Sequence, residues 1–144
     1  MCYNRAILNK SDPWRLPLDK QAIFPPNYVP SKAPVTPAIK FHHLLFVSGQ
    51  VPRDAEGKSP EGIKAQAELT LRNLQNVIQA AGGNMSQVVR CTVFLANMDD
   101  FAAFNDVYRT FFSEPYPTRS AVQVARLPGP AFLVEIDAIA ILAE

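Results

Sequence analysis

Apolar residues recur along this chain with two different periods, and the switches between them mark out its elements. From Glu61 to Ala81, Ile63, Ala67, Leu71, Leu74 and Ile78 return every three or four residues, which predicts a helix with one buried stripe. Ser59-Pro60 reads as its N-cap and first helical residue, and Gly82-Gly83 as its stop. Phe101, Phe104, Tyr108 and Phe111, spaced three, four and three apart, predict a second helix. Asp99 and Asp100 suit its amino end, and Ser113 to Pro117 breaks it. Shorter runs read as strands. Ala38–Phe41 and Leu44–Ser48 form a hairpin around His42-His43, and Val88–Leu95 is apolar on both faces and therefore central. Two more follow at about Thr118–Val124 and Phe132–Leu142.

The predicted order is β-β-α-β-α-β-β, an α+β fold with both helices on one face of a mixed sheet. The sheet's other face would stay apolar, and oligomer formation would cover it. Nine of the thirteen prolines fall in residues 1–60. Residues 1–36 therefore read as an extended, irregular arm that is either frayed or wrapped over the body or a partner, and 37–144 as one domain.

Composition narrows the field. Of 144 residues, 48% are hydrophobic and 19% charged, with net charge +1, which fits one soluble domain with a real core. The fourteen Lys and Arg residues are scattered singly, so the footprint of a nucleic-acid binder is missing. No apolar stretch approaches the roughly 18 residues of a membrane span. Asn4, Arg5, Lys10, Asp12 and Arg15 leave no signal-peptide core at the amino terminus. Cys2 and Cys91 make no disulfide framework, and a reducing, cytoplasmic setting fits. Cys91 reads as a buried inert thiol, with a nucleophilic role as the alternative.

The candidate chemistry lies near the carboxy terminus. Arg119 opens one strand, sharing a face with Ala121 and Gln123, and Glu135 interrupts another that is otherwise mostly apolar. On that last strand Leu133, Glu135, Asp137, Ile139 and Ile141 share one face. Three readings stand side by side. The two acids could mark a solvated margin, or Arg119 could bridge to Glu135 or Asp137 across the sheet. In the third, a guanidinium makes a two-pronged match to a substrate carboxylate while a nearby acid orients water or moves a proton. Gly49, ending the second strand, is either a turn residue or a point of close ligand approach. No phosphate-binding glycine loop or nucleophile elbow is present. Adjacent histidines on a strand face opposite ways, so no metal site is expected.

Several stretches, in order, resemble the RidA (YjgF/YER057c) family of imine/enamine deaminases over about residues 33–143. They are Leu45-Phe46-Val47-Ser48-Gly49-Gln50-Val51-Pro52, Gln66 through Asn73-Leu74, Ala80-Ala81-Gly82 and Thr92-Val93-Phe94-Leu95. The series continues with Met98-Asp99-Asp100-Phe101-Ala102-Ala103-Phe104-Asn105, Val107-Tyr108, Pro117-Thr118-Arg119-Ser120 and Val134-Glu135-Ile136-Asp137-Ala138-Ile139-Ala140. The resemblance implies a chorismate-mutase-like α+β fold assembled as a homotrimer, with sites in the clefts between subunits. It implies that Arg119 clamps the substrate carboxylate and Glu135 positions the hydrolytic water. Asn105 and the backbone at Gly49 and Ala121 would line the pocket, with no metal or organic cofactor. The implied reaction converts a 2-imino acid, or its 2-aminoacrylate-type enamine, to a 2-oxo acid and ammonia.

The chain departs from the family pattern at three points. Ala33-Pro34-Val35-Thr36-Pro37-Ala38 puts Val35 where many deaminating members carry a pocket tyrosine, with Thr36 offering a hydroxyl from a different place. Ala121 replaces a reactive cysteine of several bacterial members, and the turn Pro128–Phe132 is one residue longer than usual. A pathway-specific deaminase of a bulkier, aminomuconate-like enamine, or of aminoacrylate in a catabolic pathway, is therefore an alternative. So is a non-catalytic small-carboxylate binder or chaperone-like trimer. Ribonuclease activity has been attached to family members, and the charge pattern here gives it no support.

Overall fold

Alternation and helical spacing resolve, in a computed structural model, into six strands and two α-helices; residues 20–26, 28, 30 and 32–143 are described. The strands are β1 (Gln21–Ile23), β2 (Ala38–Phe41), β3 (Leu44–Gln50), β4 (Val88–Leu95), β5 (Thr118–Gln123) and β6 (Val134–Ile141). The helices are α1 (Ile63–Ala80) and α2 (Phe101–Phe111). Cys2 and the first half of the predicted arm lie outside the described residues. The arm's Gln21–Ile23 adds an edge strand that the sequence reading left irregular, pairing antiparallel with Ala38–Lys40.

The six strands form one sheet in the order β1-β2-β3-β6-β4-β5. All neighbours run antiparallel except β4 and β5, so the sheet is mixed. The hairpin β2–β3 turns at His42-His43, as expected, with His42 at φ 52°. β4 lies inside the sheet, between β6 and β5, as its apolar composition predicted.

Period-2 alternation decides the two faces. Leu45, Val47, Cys91, Val93, Leu95, Val134, Ile136, Ala138 and Ala140 are buried on one side. They meet Ala67, Leu71, Leu74 and Ile78 of α1 and Phe104 and Tyr108 of α2 in a single core. Both helices thus cover one face, as predicted. The opposite, open face carries Leu44, Phe46, Val122 and Ile141 in exposed positions, Phe46 at 45% and Ile141 at 49%.

The start of α1 corrects the sequence reading. The helix begins at Ile63 rather than after Ser59-Pro60, and Gly62 stands before it at φ 78°. That backbone conformation suits glycine and interrupts the helix there. The Pro60 carbonyl instead accepts from Gln66 Nε2 at 2.9 Å, while the buried Ser59 hydroxyl caps nothing. At the other end Gly82-Gly83 does stop the helix. Gly83 N–H donates to the Ile78 carbonyl (3.0 Å) and Gly82 N–H to that of Gln79 (2.9 Å), closing a Schellman turn.

Candidate functional site

The first group of candidate residues gathers on the open face. Between the pairs Val47–Ala138 and Gln50–Ile136 the β3–β6 register slips, so Ser48 and Gly49 together oppose Asp137. This bulge is tied to the preceding segment by two bonds. Ser48 N–H donates to the Pro37 carbonyl at 2.9 Å, and Ser48 Oγ to the Thr36 carbonyl at 2.7 Å. Glu135 folds its carboxyl group over Gly49. A Cβ on Gly49 would come within 2.8 Å of Glu135 Cδ and would collide with Oε1. The missing side chain is therefore what gives the carboxylate its place.

Glu135 is half-buried and pairs across the sheet with Phe94. Burial raises its carboxyl above the ordinary glutamate range, and the negative charge of Asp137, two residues on along the same face, raises it further. Asp137 Oδ1 in turn accepts from Thr92 N–H at 3.2 Å. The open face thus holds a desolvated acid beside exposed backbone, with Thr36 and Ser48 at its margin.

The second group gathers on the helix face. In the parallel β4–β5 ladder Arg119 is the partner of Cys91, and Ala121 of Val93. Both therefore point the way the core residues point. Arg119 lies against α2, its guanidinium carbon 4.5 Å from the ring centre of Tyr108, 5.4 Å from that of Phe101 and 5.7 Å from that of Phe104. Among the described residues it makes no ion pair. Asn105, half-buried one turn after Phe101, flanks this aromatic patch. Cys91 lies beneath it. Burial pushes its thiol up to about 11, so it stays protonated at neutral pH and is unsuited to nucleophilic attack.

Within one chain these two groups do not meet. β4 separates β5 from β6, and Arg119 and Glu135 project from opposite faces of the sheet. The alternative of a direct bridge from Arg119 to Glu135 or Asp137 is thereby overturned. The consecutive strands β5 and β6 are not neighbours, because β4 lies between them. Nor does either group line the two concavities beside α1. Each has a volume of about 550 Å3 and includes Glu68 and Arg72 in its lining, one between α1 and α2 and the other between α1 and the segment 54–60. No three His, Cys, Asp or Glu side chains among the described residues cluster as a metal site would require. Among the described residues no helix is long and apolar enough to cross a membrane.

Two contributors escaped the sequence reading. Gln66, 3% exposed, donates from Nε2 to the carbonyls of Pro60 and Ala131, each at 2.9 Å, and accepts from Leu133 N–H at 2.8 Å. It ties α1 to the point where the chain enters β6, two residues before Glu135. Its polarity at a buried helical position was the available signal. The rings under Arg119 were legible as a core stripe, but their contact with the arginine of the next element was not.

Comparison with known proteins bears on the whole fold. The model of the family described as Endoribonuclease L-PSP matches residues 27–142. A mouse (Mus musculus) protein named 2-iminobutanoate/2-iminopropanoate deaminase is 39% identical over 110 residues, 75% of this chain and 81% of that protein. The crystal structure of RidA from the Antarctic bacterium Psychrobacter sp. PAMC 21119 superposes with a TM-score of 0.80 at 38% identity, covering 85% of this chain and 99% of that one. E. coli TdcF with bound serine gives 0.79 at 36% identity, with the same coverage of each chain.

Proposed function

This chain belongs to the Endoribonuclease L-PSP family, the family of RidA, and from that premise we propose that it is an imine/enamine deaminase whose sites lie between copies of the chain. The carrying observation is a division of labour across the sheet. One face offers a guanidinium held on rings with no anionic partner among the described residues, and the other a desolvated carboxyl over a bare glycine. Neither group is a site alone. A second copy, docked through the apolar open face, brings its Arg119 to the Glu135 of the first, and a homotrimer closes this contact into a ring with three such clefts. The deaminase name of the mouse relative and the serine bound to TdcF support a small substrate bearing a carboxylate.

The chemistry then needs little from the protein. The enamine tautomerises to an imine, whose carbon is already electrophilic. Arg119 grips the substrate carboxylate with two parallel N–H donors. Asn105 and the backbone at Gly49 and Ala121 complete the pocket, with Thr36 at its rim. Glu135, as carboxylate, accepts a proton from the water that attacks the imine carbon. Glu135 returns that proton to the substrate nitrogen to give a carbinolamine, then takes the carbinolamine's hydroxyl proton and passes it to the nitrogen as the C–N bond breaks, releasing ammonia and leaving a 2-oxo acid. Orientation and charge complementarity suffice, and no covalent nucleophile or cofactor takes part.

The test is to generate 2-aminoacrylate in situ and follow ammonia and pyruvate. The parent should accelerate their release over buffer. Arg119→Ala and Gly49→Ala should each lower kcat/KM by about 100-fold or more. Gly49→Ala should keep the fold, since only the far end of the Glu135 side chain has to move. A parent rate equal to buffer overturns the proposal.

A further inference from the structure

An arginine that clamps a substrate needs its fork aimed before the substrate arrives, because a free guanidinium samples many rotamers. The usual device is a carboxylate partner, but that partner occupies the donors meant for the ligand. Here the second arm of the problem is solved differently. Arg119 has no ion pair among the described residues, and it rests on three rings of α2, with Tyr108 nearest at 4.5 Å. We propose that Tyr108 and Phe101 are positioning residues that fix the Arg119 guanidinium for the carboxylate while leaving its N–H donors free. This rests on the reading of Arg119 as the clamp and adds how the clamp is held.

Packing alone does not account for the arrangement. Tyr108 is buried to 4% exposure and stacks on Phe112, their ring centres 4.5 Å apart, so the platform is itself rigid. Its hydroxyl is buried beside the Cys91 thiol. The ring face toward Arg119 is the part in use. A ring attracts the cation through its quadrupole without accepting its N–H bonds edge-on, which suits a fork that must stay open. Phe101, half-buried at the start of α2, offers the second face from a position outside the innermost core.

The experiment measures kcat and KM for 2-aminoacrylate-derived imine, and calorimetric Kd for 2-oxobutanoate, a stable product-like carboxylate. The proteins are the full-length parent, Arg119→Ala, Phe101→Leu, Tyr108→Leu, Tyr108→Phe and the double variant Phe101→Leu/Arg119→Ala. Phe101→Leu and Tyr108→Leu should raise KM and Kd about 3- to 30-fold with kcat nearly unchanged, and Tyr108→Phe should restore parental values. In the Arg119→Ala background Phe101→Leu should have no further effect, a coupling that mere loss of packing would not produce. If Tyr108→Leu fails to fold, Phe101→Leu and its double variant decide the matter. Parental KM and Kd in Phe101→Leu, with Arg119→Ala impaired, overturn the platform and leave the clamp standing. Parental behaviour in Arg119→Ala overturns the clamp itself.

Discussion

Glu135 shows what a single side chain stands to lose at such a site. Its carboxyl is raised by burial first and by Asp137 second, so the folded chain keeps that proton to higher pH than the unfolded chain does. The sign follows directly. As pH rises through the carboxylate range the folded state must ionise a group that the unfolded state ionises more easily, and stability falls. At neutral pH the charged Glu135 therefore weakens the fold, as is common where function dictates the residue. Glu135→Gln should melt higher than the parent at pH 7, with the gap closing as pH drops below the ordinary glutamate range. Thermal denaturation across pH checks this, and a gap that widens in acid contradicts it. The activity profile should carry the same mark, with an acidic limb above the usual glutamate value.

Among elements, the join between α1 and β6 decides where Glu135 stands. Gln66 makes three buried bonds across it. Gln66→Ala leaves two carbonyls and one N–H unsatisfied and should cost about 2 to 4 kcal/mol in urea unfolding with an unchanged slope. A loss below about 0.5 kcal/mol would show that this join is not held by Gln66. The elements themselves were largely legible in the sequence. Val88–Leu95 matches β4 to the residue, and the hairpin and the aromatic stripe of α2 lie where the periods put them. The three-residue β1, set among prolines, has no period to read. Gly62 displaced the start of α1 because a glycine at positive φ outranks the Ser59-Pro60 pair. Strand order escaped altogether, since alternation states which residues share a face and not which strand lies alongside. Arg119 and Glu135 were therefore legible as residues, and their separation onto opposite faces was not.

For the whole molecule, that separation is the deciding fact. A monomer exposes Phe46 and Ile141 on the open face and leaves its cation and its acid on opposite sides of one sheet. The proposed trimer resolves both by covering the first and uniting the second. The direct test is complementation between two inactive variants, Arg119→Ala and Glu135→Gln, refolded together in equal amounts. If each cleft takes Arg119 from one chain and Glu135 from its neighbour, half the clefts draw an intact arginine and half of those an intact glutamate. The mixture should therefore recover about a quarter of parental activity, although neither variant alone is active. A mixture no more active than its components, in particles shown by light scattering to be co-assembled, would contradict a site shared between chains.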